Sequence, residues 1–314
     1  MNEFQPVRLG ILGAGRIVVD TVLPMLAGLS AFELVGIGTS FPESVPLHLK
    51  NMLHESYEAV ISDKSCDALY IATSNNLHYE LAMEALRSGK HVLCEKPIAT
   101  EVEHCVELYR TALEANVILD EGFMYRHAKY WGNLTDSISG GGLIGELEFI
   151  DVNFHHRVFR KNDIRFRKDK GGGCLLDVGC YCFDVVHKIA KNPCTILSSR
   201  IWKNEAGVEY YAHVTFEAGK ITGRITCGYD RELEQGLLLQ GSHGTVHVDY
   251  PFINQQRGVC LSLTSNSGIK RIRLEPDNAY LTEFKEFYRR IHGSEVIGNH
   301  NSEWNIAAIC QLTD

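Results

Sequence analysis

Short apolar runs alternate with amphipathic stretches over the first 120 residues. Val7–Leu12, Glu33–Gly38, Asp67–Thr73, His91–Glu95 and Val117–Asp120 predict strands, and Arg16–Leu29, Asn76–Ser88 and Thr100–Ala115 predict helices between them. Pro24 inside the first helix predicts a kink or an early end. Strands this apolar, separated by helices, imply a parallel sheet covered on both faces. The pattern therefore predicts an α/β Rossmann domain over residues 1–121.

After Glu121 the pattern changes. Glu146–Val158 is a long run of apolar, aromatic and β-branched residues, followed by the basic, irregular stretch Phe159–Lys170. Gly171-Gly172-Gly173 then leads into a helical stretch that ends near Ala190. From Cys194 to Leu274 strands are broken by turns such as Glu217-Ala218-Gly219-Lys220 and Gly241-Ser242-His243-Gly244. Amphipathic Ala279–His292 closes the body. This predicts an α+β domain over residues 122–314, built on an open, mainly antiparallel sheet.

Composition narrows the partners. Of 314 residues, 45% are hydrophobic and 22% charged, and 31 Lys plus Arg against 39 Asp plus Glu give a net charge of −8, which argues against phosphate-driven nucleic-acid binding. No apolar run approaches the ~18 to 20 residues of a membrane span. Met1–Pro6 lacks the basic-then-apolar order of a signal peptide, so a cytoplasmic location is expected. Ten cysteines include no Cys-x-x-Cys, the nearest pair being Cys180 and Cys182. They are expected as reduced, buried thiols without a metal.

Three constellations carry chemistry. Gly13-Ala14-Gly15-Arg16-Ile17-Val18 joins the first strand to the first helix. Gly13 allows the tight turn, and Gly15 lets the backbone approach a pyrophosphate at the helix N-terminus. The second strand ends Gly38-Thr39-Ser40-Phe41 with no acid until Glu43, and Glu33 stands at the wrong end. The hydroxyls of Thr39 and Ser40 suit a 2′-phosphate that nothing acidic repels. NADP is therefore expected, with NAD as the alternative because no arginine stands beside them. Glu95-Lys96-Pro97 ends a parallel strand at the carboxyl edge, where ligands of such sheets bind. In the helix after the three glycines, Asp177, Tyr181 and Asp184 fall on one stripe of an otherwise apolar surface and need a polar destination.

These segments resemble the Gfo/Idh/MocA oxidoreductases, named for glucose–fructose oxidoreductase, inositol dehydrogenase and MocA. The resemblance covers Val7 to about Gly244. It rests on Gly13–Ile17, Tyr70–His78, Gly89–Pro97, Glu121–Arg126 and the triple-glycine helix. It implies reversible hydride transfer between a nicotinamide cofactor and a sugar, polyol or related alcohol. It also implies a homodimer or dimer of dimers made through the open sheet. Lys96 matches the family's catalytic lysine, and Thr73, Asn75 and His78 match the segment passing beside the cofactor. The implied cofactor set is Gly13, Gly15, Arg16, Ile17, Thr39, Ser40, Thr73, Asn75, His78, Glu95 and Lys96. Asp177 matches the family acid one turn before the catalytic position, which holds His in the inositol dehydrogenase branch and Tyr181 here. Tyrosine is similar to the glucose–fructose oxidoreductase, dihydrodiol dehydrogenase and xylose dehydrogenase branch, and Arg165 matches an arginine near its substrate. Three departures stand out. Val18 replaces a small residue, the usual Ser-Arg after the second strand is absent, and His127-Ala128-Lys129-Tyr130 lacks the usual His-Pro.

The implied mechanism matches pKa to task. Free tyrosine titrates near 10, and a neighbouring ammonium favours the phenolate by ~1 to 3 units. Lys96 is thus expected to prepare Tyr181 as the acid–base group, the two converging on one nicotinamide, while Asp177 holds substrate hydroxyls. Two other readings stay open. One is a ketoreductase of a nucleotide-linked sugar, whose diphosphate would meet Arg157, Arg160, Lys161, Arg165, Arg167, Lys168 and Lys170. The other is a dinucleotide-binding regulator without turnover.

Overall fold

The computed structural model describes residues 5–138, 142–160, 163–254, 257–266, 268–293 and 301–313. The chain divides into two compact units, Met1–Gly122 with Tyr280–His300, and Phe123–Ala279 with Asn301–Asp314.

The first unit is built on β1 (Val7–Leu12), β2 (Phe32–Gly38), β3 (Ala68–Ile71), β4 (His91–Glu95) and β5 (Leu119–Gly122). They lie in the order β2-β1-β3-β4-β5, every pair parallel. The change of direction between β1 and β3 makes the switch point at which open α/β sheets bind ligands. The strands are linked through α1 (Leu23–Leu26), α2 (Tyr57–Ile61), α3 (Asn75–Arg87) and α4 (Val102–Ala115). The helix after β1 stops at Leu26, short of the expected Leu29, and opens into a π turn over Val18–Val22. There Leu23 N–H bonds the Val18 carbonyl, and Pro24, which has no N–H to donate, follows at once. Val18 is fully buried, so the residue that departs from the family pattern sits in the core where the helix widens.

The helix expected over Ala279–His292 in the second domain runs over Ala279–Gly293, yet from Tyr280 onward it belongs with the parallel sheet. Phe284 packs edge-on against Phe32 at 5.7 Å and Tyr70 at 5.2 Å, and Arg290 pairs with Asp120 of β5. An amphipathic pattern tells that a helix has an apolar face, not which sheet that face covers.

The second unit carries eight strands: β6 (Leu147–His155), β7 (Thr195–Lys203), β8 (Glu209–Ala218), β9 (Ile221–Gly228), β10 (Glu234–Gly241), β11 (Gly244–Asp249), β12 (Val259–Ser265) and β13 (Gly268–Leu274). Their order is β13-β12-β11-β10-β6-β9-β8-β7. Among the described residues only β6–β9 is parallel; the other pairs are antiparallel. Burial alternates along β6, where Ile150, Val152 and Phe154 are buried and the residues between them are not, as expected of a sheet covered on one face. The unit's helices are α5 (Tyr130–Ile138), α6 (Cys180–Ala190) and, after the α7 helix Ala279–Gly293 of the first unit, α8 (Ser302–Thr313). The sequence pattern did not foretell α8, because its buried face includes Ser302 and Asn305. None of the ten cysteines is joined in a disulfide, and eight of them are buried. Among the described residues no helix is long and apolar enough to cross a membrane.

Candidate active site

The nucleotide-binding candidates of the first unit stand at the carboxyl edge of its sheet. Gly13, directly after β1, has φ of 103° and donates its N–H to the Gly38 carbonyl at 2.7 Å. A side-chain carbon on Gly13 would lie 2.3 Å from the Ala72 carbonyl oxygen, so the turn admits only glycine. Gly15 is different, because a carbon there would meet no described protein atom within 4 Å. The backbone is thus open where a pyrophosphate approaches a helix N-terminus, with exposed Arg16 and half-buried Ile17 beginning the helix. The residues fit a dinucleotide.

After β2, Thr39 Oγ1 accepts from Phe41 N–H at 3.0 Å, and the Ser40 hydroxyl lies 3.4 Å from Tyr57 Oη. No carboxylate occurs in Gly38–Pro42. Thr73 follows β3 and Asn75 opens α3. His78 is buried, its Nδ1 2.8 Å from Pro97 O and its Nε2 3.3 Å from Thr73 O. Burial, together with the Lys96 cation, holds its pKa down at about 4, so the ring is neutral. Glu95 is buried too and accepts from Tyr70 Oη at 2.7 Å. Burial, then the Glu95 charge, pushes the Tyr70 phenol well above its usual range. Lys96, next along, is partly exposed while Glu95, Pro97, Ile98 and Ala99 around it are buried.

In the second unit the triple glycine builds a different device. A side-chain carbon on Gly173, whose φ is 121°, would fall 2.0 Å from Glu209 Oε1. With glycine there, Gly173 N–H reaches the Arg165 carbonyl and Gly172 N–H that of Arg167, both at 2.9 Å. The loop carrying Arg165 is thereby bound to the start of the helix.

That helix begins as a π turn, Leu175–Gly179, before α6. The wider turn alters the stripe expected of an α-helix. Asp177 Oδ2 accepts from Arg165 Nε at 2.8 Å, Tyr229 Oη at 3.2 Å and His156 Nε2 at 3.3 Å. The Asp177 charge, outweighing burial, raises the Arg165 guanidinium further above its usual range, and Asp163 braces its Nη1 at 3.1 Å. Asp184, fully buried, has a separate set of donors: Tyr125, Arg126 through two N–H groups, and Asn305 at 3.1 Å. Burial raises its pKa, but the Arg126 charge and these donors prevail and hold the carboxyl below its usual range. The two acids thus anchor different networks.

Tyr181 is 6% exposed, with its ring 5.4 Å from each of Phe123, Phe154 and Phe252 and its hydroxyl 3.9 Å from Met124 Sδ. His156, Tyr229 and Asn305 were not anticipated as site residues. Met124, Tyr125 and Arg126 were legible only as part of a motif. Arg157 pairs with Glu232 and Arg167 with Asp169, and Lys161 lies outside the described residues.

Comparison with known proteins agrees with both units. Residues 7–123 match the profile of an oxidoreductase family with an NAD-binding Rossmann fold, and residues 137–247 match the C-terminal domain of the same family. A dTDP-3,4-didehydro-2,6-dideoxy-alpha-D-glucose 3-reductase of Saccharopolyspora spinosa is 27% identical, covering 79% of this chain and 76% of its own. A 1,5-anhydro-D-fructose reductase of Ensifer adhaerens is 26% identical, covering 96% and 93%. A 3-ketoreductase from Actinomadura kijaniata, solved with NADP and TDP-benzene, has the same fold at 22% identity, with a TM-score of 0.89 over 98% of this chain and 96% of that one. It has also been solved with one tyrosine or one lysine replaced. On both of its domains, the chain belongs to the Gfo/Idh/MocA family of oxidoreductases.

Proposed function

We propose that the chain is an NADP-dependent oxidoreductase interconverting a secondary alcohol and a carbonyl on a sugar, polyol or diol. Tyr181 is the acid–base group, Lys96 the cation that eases its deprotonation, and Asp177 the carboxylate that orders the substrate side through Arg165. The observation that carries this reading is the carboxyl edge of the parallel sheet. There Gly13 is fitted against Ala72, Gly15 leaves its backbone open, and β4 ends at Glu95, directly before Lys96. The hydroxyls of Thr39 and Ser40, without a carboxylate beside them, favour NADP over NAD. The lysine and tyrosine replaced in the ketoreductase lie 84 positions apart, and Lys96 and Tyr181 lie 85 apart, which supports the pair.

A nicotinamide cofactor, which Gly13, Gly15, Thr39 and Ser40 would hold, would supply the hydride exchange with the alcohol or carbonyl carbon. Tyr181 takes the hydroxyl proton when the alcohol is oxidised and gives it back to the carbonyl oxygen when the carbonyl is reduced. Its ring, packed among Phe123, Phe154 and Phe252, keeps the hydroxyl in one orientation. The Lys96 ammonium stabilises negative charge on the reacting oxygens. Arg165, braced by Asp163 and Asp177, presents a guanidinium of fixed orientation to substrate oxygens.

A second substrate class, a nucleotide-linked ketosugar, is favoured by Phe159. This side chain is 78% exposed on the loop that carries Arg157, Arg160, Arg167, Lys168 and Lys170. The aromatic face suits a base and the cations a diphosphate.

The test follows NADPH absorbance with D-xylose, 1,5-anhydro-D-fructose and a dTDP-linked 3-ketosugar. Tyr181→Phe is expected to lower kcat by ~10² to 10⁴ with NADP affinity unchanged. An undiminished kcat refutes the assignment. NADP binding without turnover on any of the three points instead to a non-catalytic regulator.

A further inference from the structure

The short segment that carries Lys96 is fixed at three points, all within the first unit. Glu95 accepts from Tyr70, the Pro97 carbonyl meets His78 Nδ1, and Ile98 N–H donates to Glu121 Oε1 at 2.9 Å. Of the three, His78 is the one that reaches across to another loop of the carboxyl edge. Its Nε2 lies against the carbonyl of Thr73, one residue past the Ala72 that fits against Gly13. One imidazole therefore joins the loop after β3 to the turn after β4.

The chemistry of the ring fixes its direction. Both nitrogens face carbonyl oxygens, and a neutral imidazole has only one N–H to donate. The ring is 1% exposed and lies near the Lys96 ammonium, a setting that excludes a second proton. The shorter contact, 2.8 Å to Pro97 O, is the better fit for the single N–H, and it leaves the unprotonated nitrogen at the longer one, 3.3 Å from Thr73 O. With both nitrogens turned on the backbone, the ring has no polar atom to present to a dinucleotide.

We propose that His78 is a positioning residue. As the Nδ1–H tautomer it holds the Pro97 carbonyl and so sets where the Lys96 ammonium stands. It acts on the chemical step through Lys96 and not on cofactor binding. This rests on the reading of Lys96 given above.

Geometry supplies the variants. The amide nitrogen of asparagine falls near the place of Nδ1, and that of glutamine near Nε2. His78→Asn keeps a donor for Pro97, whereas His78→Gln and His78→Leu lose it. A misplacement of about 1 Å costs up to ~10²-fold in rate. We expect losses approaching that size in kcat for Leu and Gln, recovery to within about threefold for Asn, and NADP dissociation constants within about twofold of wild type throughout. NADP fluorescence titration and thermal melting report separately that each variant is folded. The deciding measurement is His78→Leu placed in Lys96→Met, read with whichever of the three sugars wild type turns over. A residue acting through Lys96 adds no loss once the lysine is gone.

A full further loss in the double variant, an Asn variant no better than Leu, or NADP affinity falling in step with kcat overturns the proposal and leaves the function standing. A Lys96→Met enzyme with undiminished kcat overturns the reading of Lys96 and this proposal with it. Independently of any substrate, nitrogen-15 NMR of labelled histidine at pH 7 is expected to show His78 with its proton on Nδ1. A proton on Nε2 refutes the arrangement.

Discussion

Asp184→Asn isolates the most deeply buried charge described in the molecule. The carboxylate is 0% exposed and accepts from Tyr125, from two N–H groups of Arg126 and from Asn305. Arg126 is itself 13% exposed, its guanidinium 4.6 Å from the centre of the Phe123 ring. Asparagine keeps the shape but removes the charge and turns an N–H₂ toward a donor. The Arg126 cation then loses the Asp184 charge inside a buried site, which costs about 3 to 5 kcal/mol. Against a total stability of about 5 to 15 kcal/mol that is a large share, equivalent to a midpoint lower by about 10 °C.

The assay is unusually direct, because all three tryptophans, Trp131, Trp202 and Trp304, belong to the second unit. Trp131 lies 5.6 Å from Tyr125, and Trp304 5.8 Å from His187, which bonds Asn305. Urea unfolding followed by tryptophan fluorescence therefore reads this unit alone. Replacing both charges, Asp184→Leu with Arg126→Met, is expected to be less damaging than either single change, since the two halves of the buried ion pair leave together. A cost under about 1 kcal/mol for Asp184→Asn, or a double variant as unstable as the two singles combined, would falsify the argument.

The two fingerprint glycines are expected to fail differently. Gly13→Ala drives a carbon into the Ala72 carbonyl and forces an alanine to φ of 103°, so calorimetry should show about 1 to 3 kcal/mol or more lost without cofactor. Gly15→Ala should leave that melting curve in place and weaken NADP binding by about tenfold; equal thermal effects at both positions refute the distinction. Acid stability follows from the histidines, since burial lowers the pKa of His78, His91, His155 and His187. Between about pH 4 and 6.5 the unfolded chain binds more protons than the folded one, so stability present above pH 6.5 is lost as pH falls. His78 alone, with its pKa at about 4 against 6.5, accounts for about 3 kcal/mol when the fall is complete. Glu209, raised by burial, works in the opposite direction. Calorimetry from pH 7.5 to 5 should show a falling midpoint that is shallower in His78→Asn, and a flat profile counts against the argument.

What could be read in the sequence is what short-range patterns encode. β1, β2 and β4 were legible to within about a residue because strands buried on both faces read as unbroken apolar runs. Gly13, Gly15 and Lys96 were legible because the turn after a parallel strand has a fixed position relative to that strand. The partners of Asp177 were not, since Tyr229 and His156 reach it from 52 and 21 residues away, and no local pattern specifies such a pairing. The allegiance of α7 was illegible for a similar reason, because Phe284 and Phe287 define an apolar face that either sheet would accept.

The two π turns account for the remaining difference, one directly after the Gly13–Gly15 turn and one carrying Asp177. Reading Asp177, Tyr181 and Asp184 at α-helical spacing puts them on one stripe, but the hydrogen-bond ladder widens over Leu175–Gly179. Asp177 accordingly meets Arg165, His156 and Tyr229, while Asp184 is enclosed by Tyr125, Arg126 and Asn305. The other π turn, Val18–Val22, directly follows the Gly13–Gly15 turn. Such turns are rare and weaken local hydrogen bonding. Their cost is offset by tertiary contacts that a periodicity argument does not see. In the second unit those contacts are the three donors on Asp177 and the aromatic cage of Tyr181. The helix can therefore direct one acid to Arg165 and bury the other as the anchor of α8.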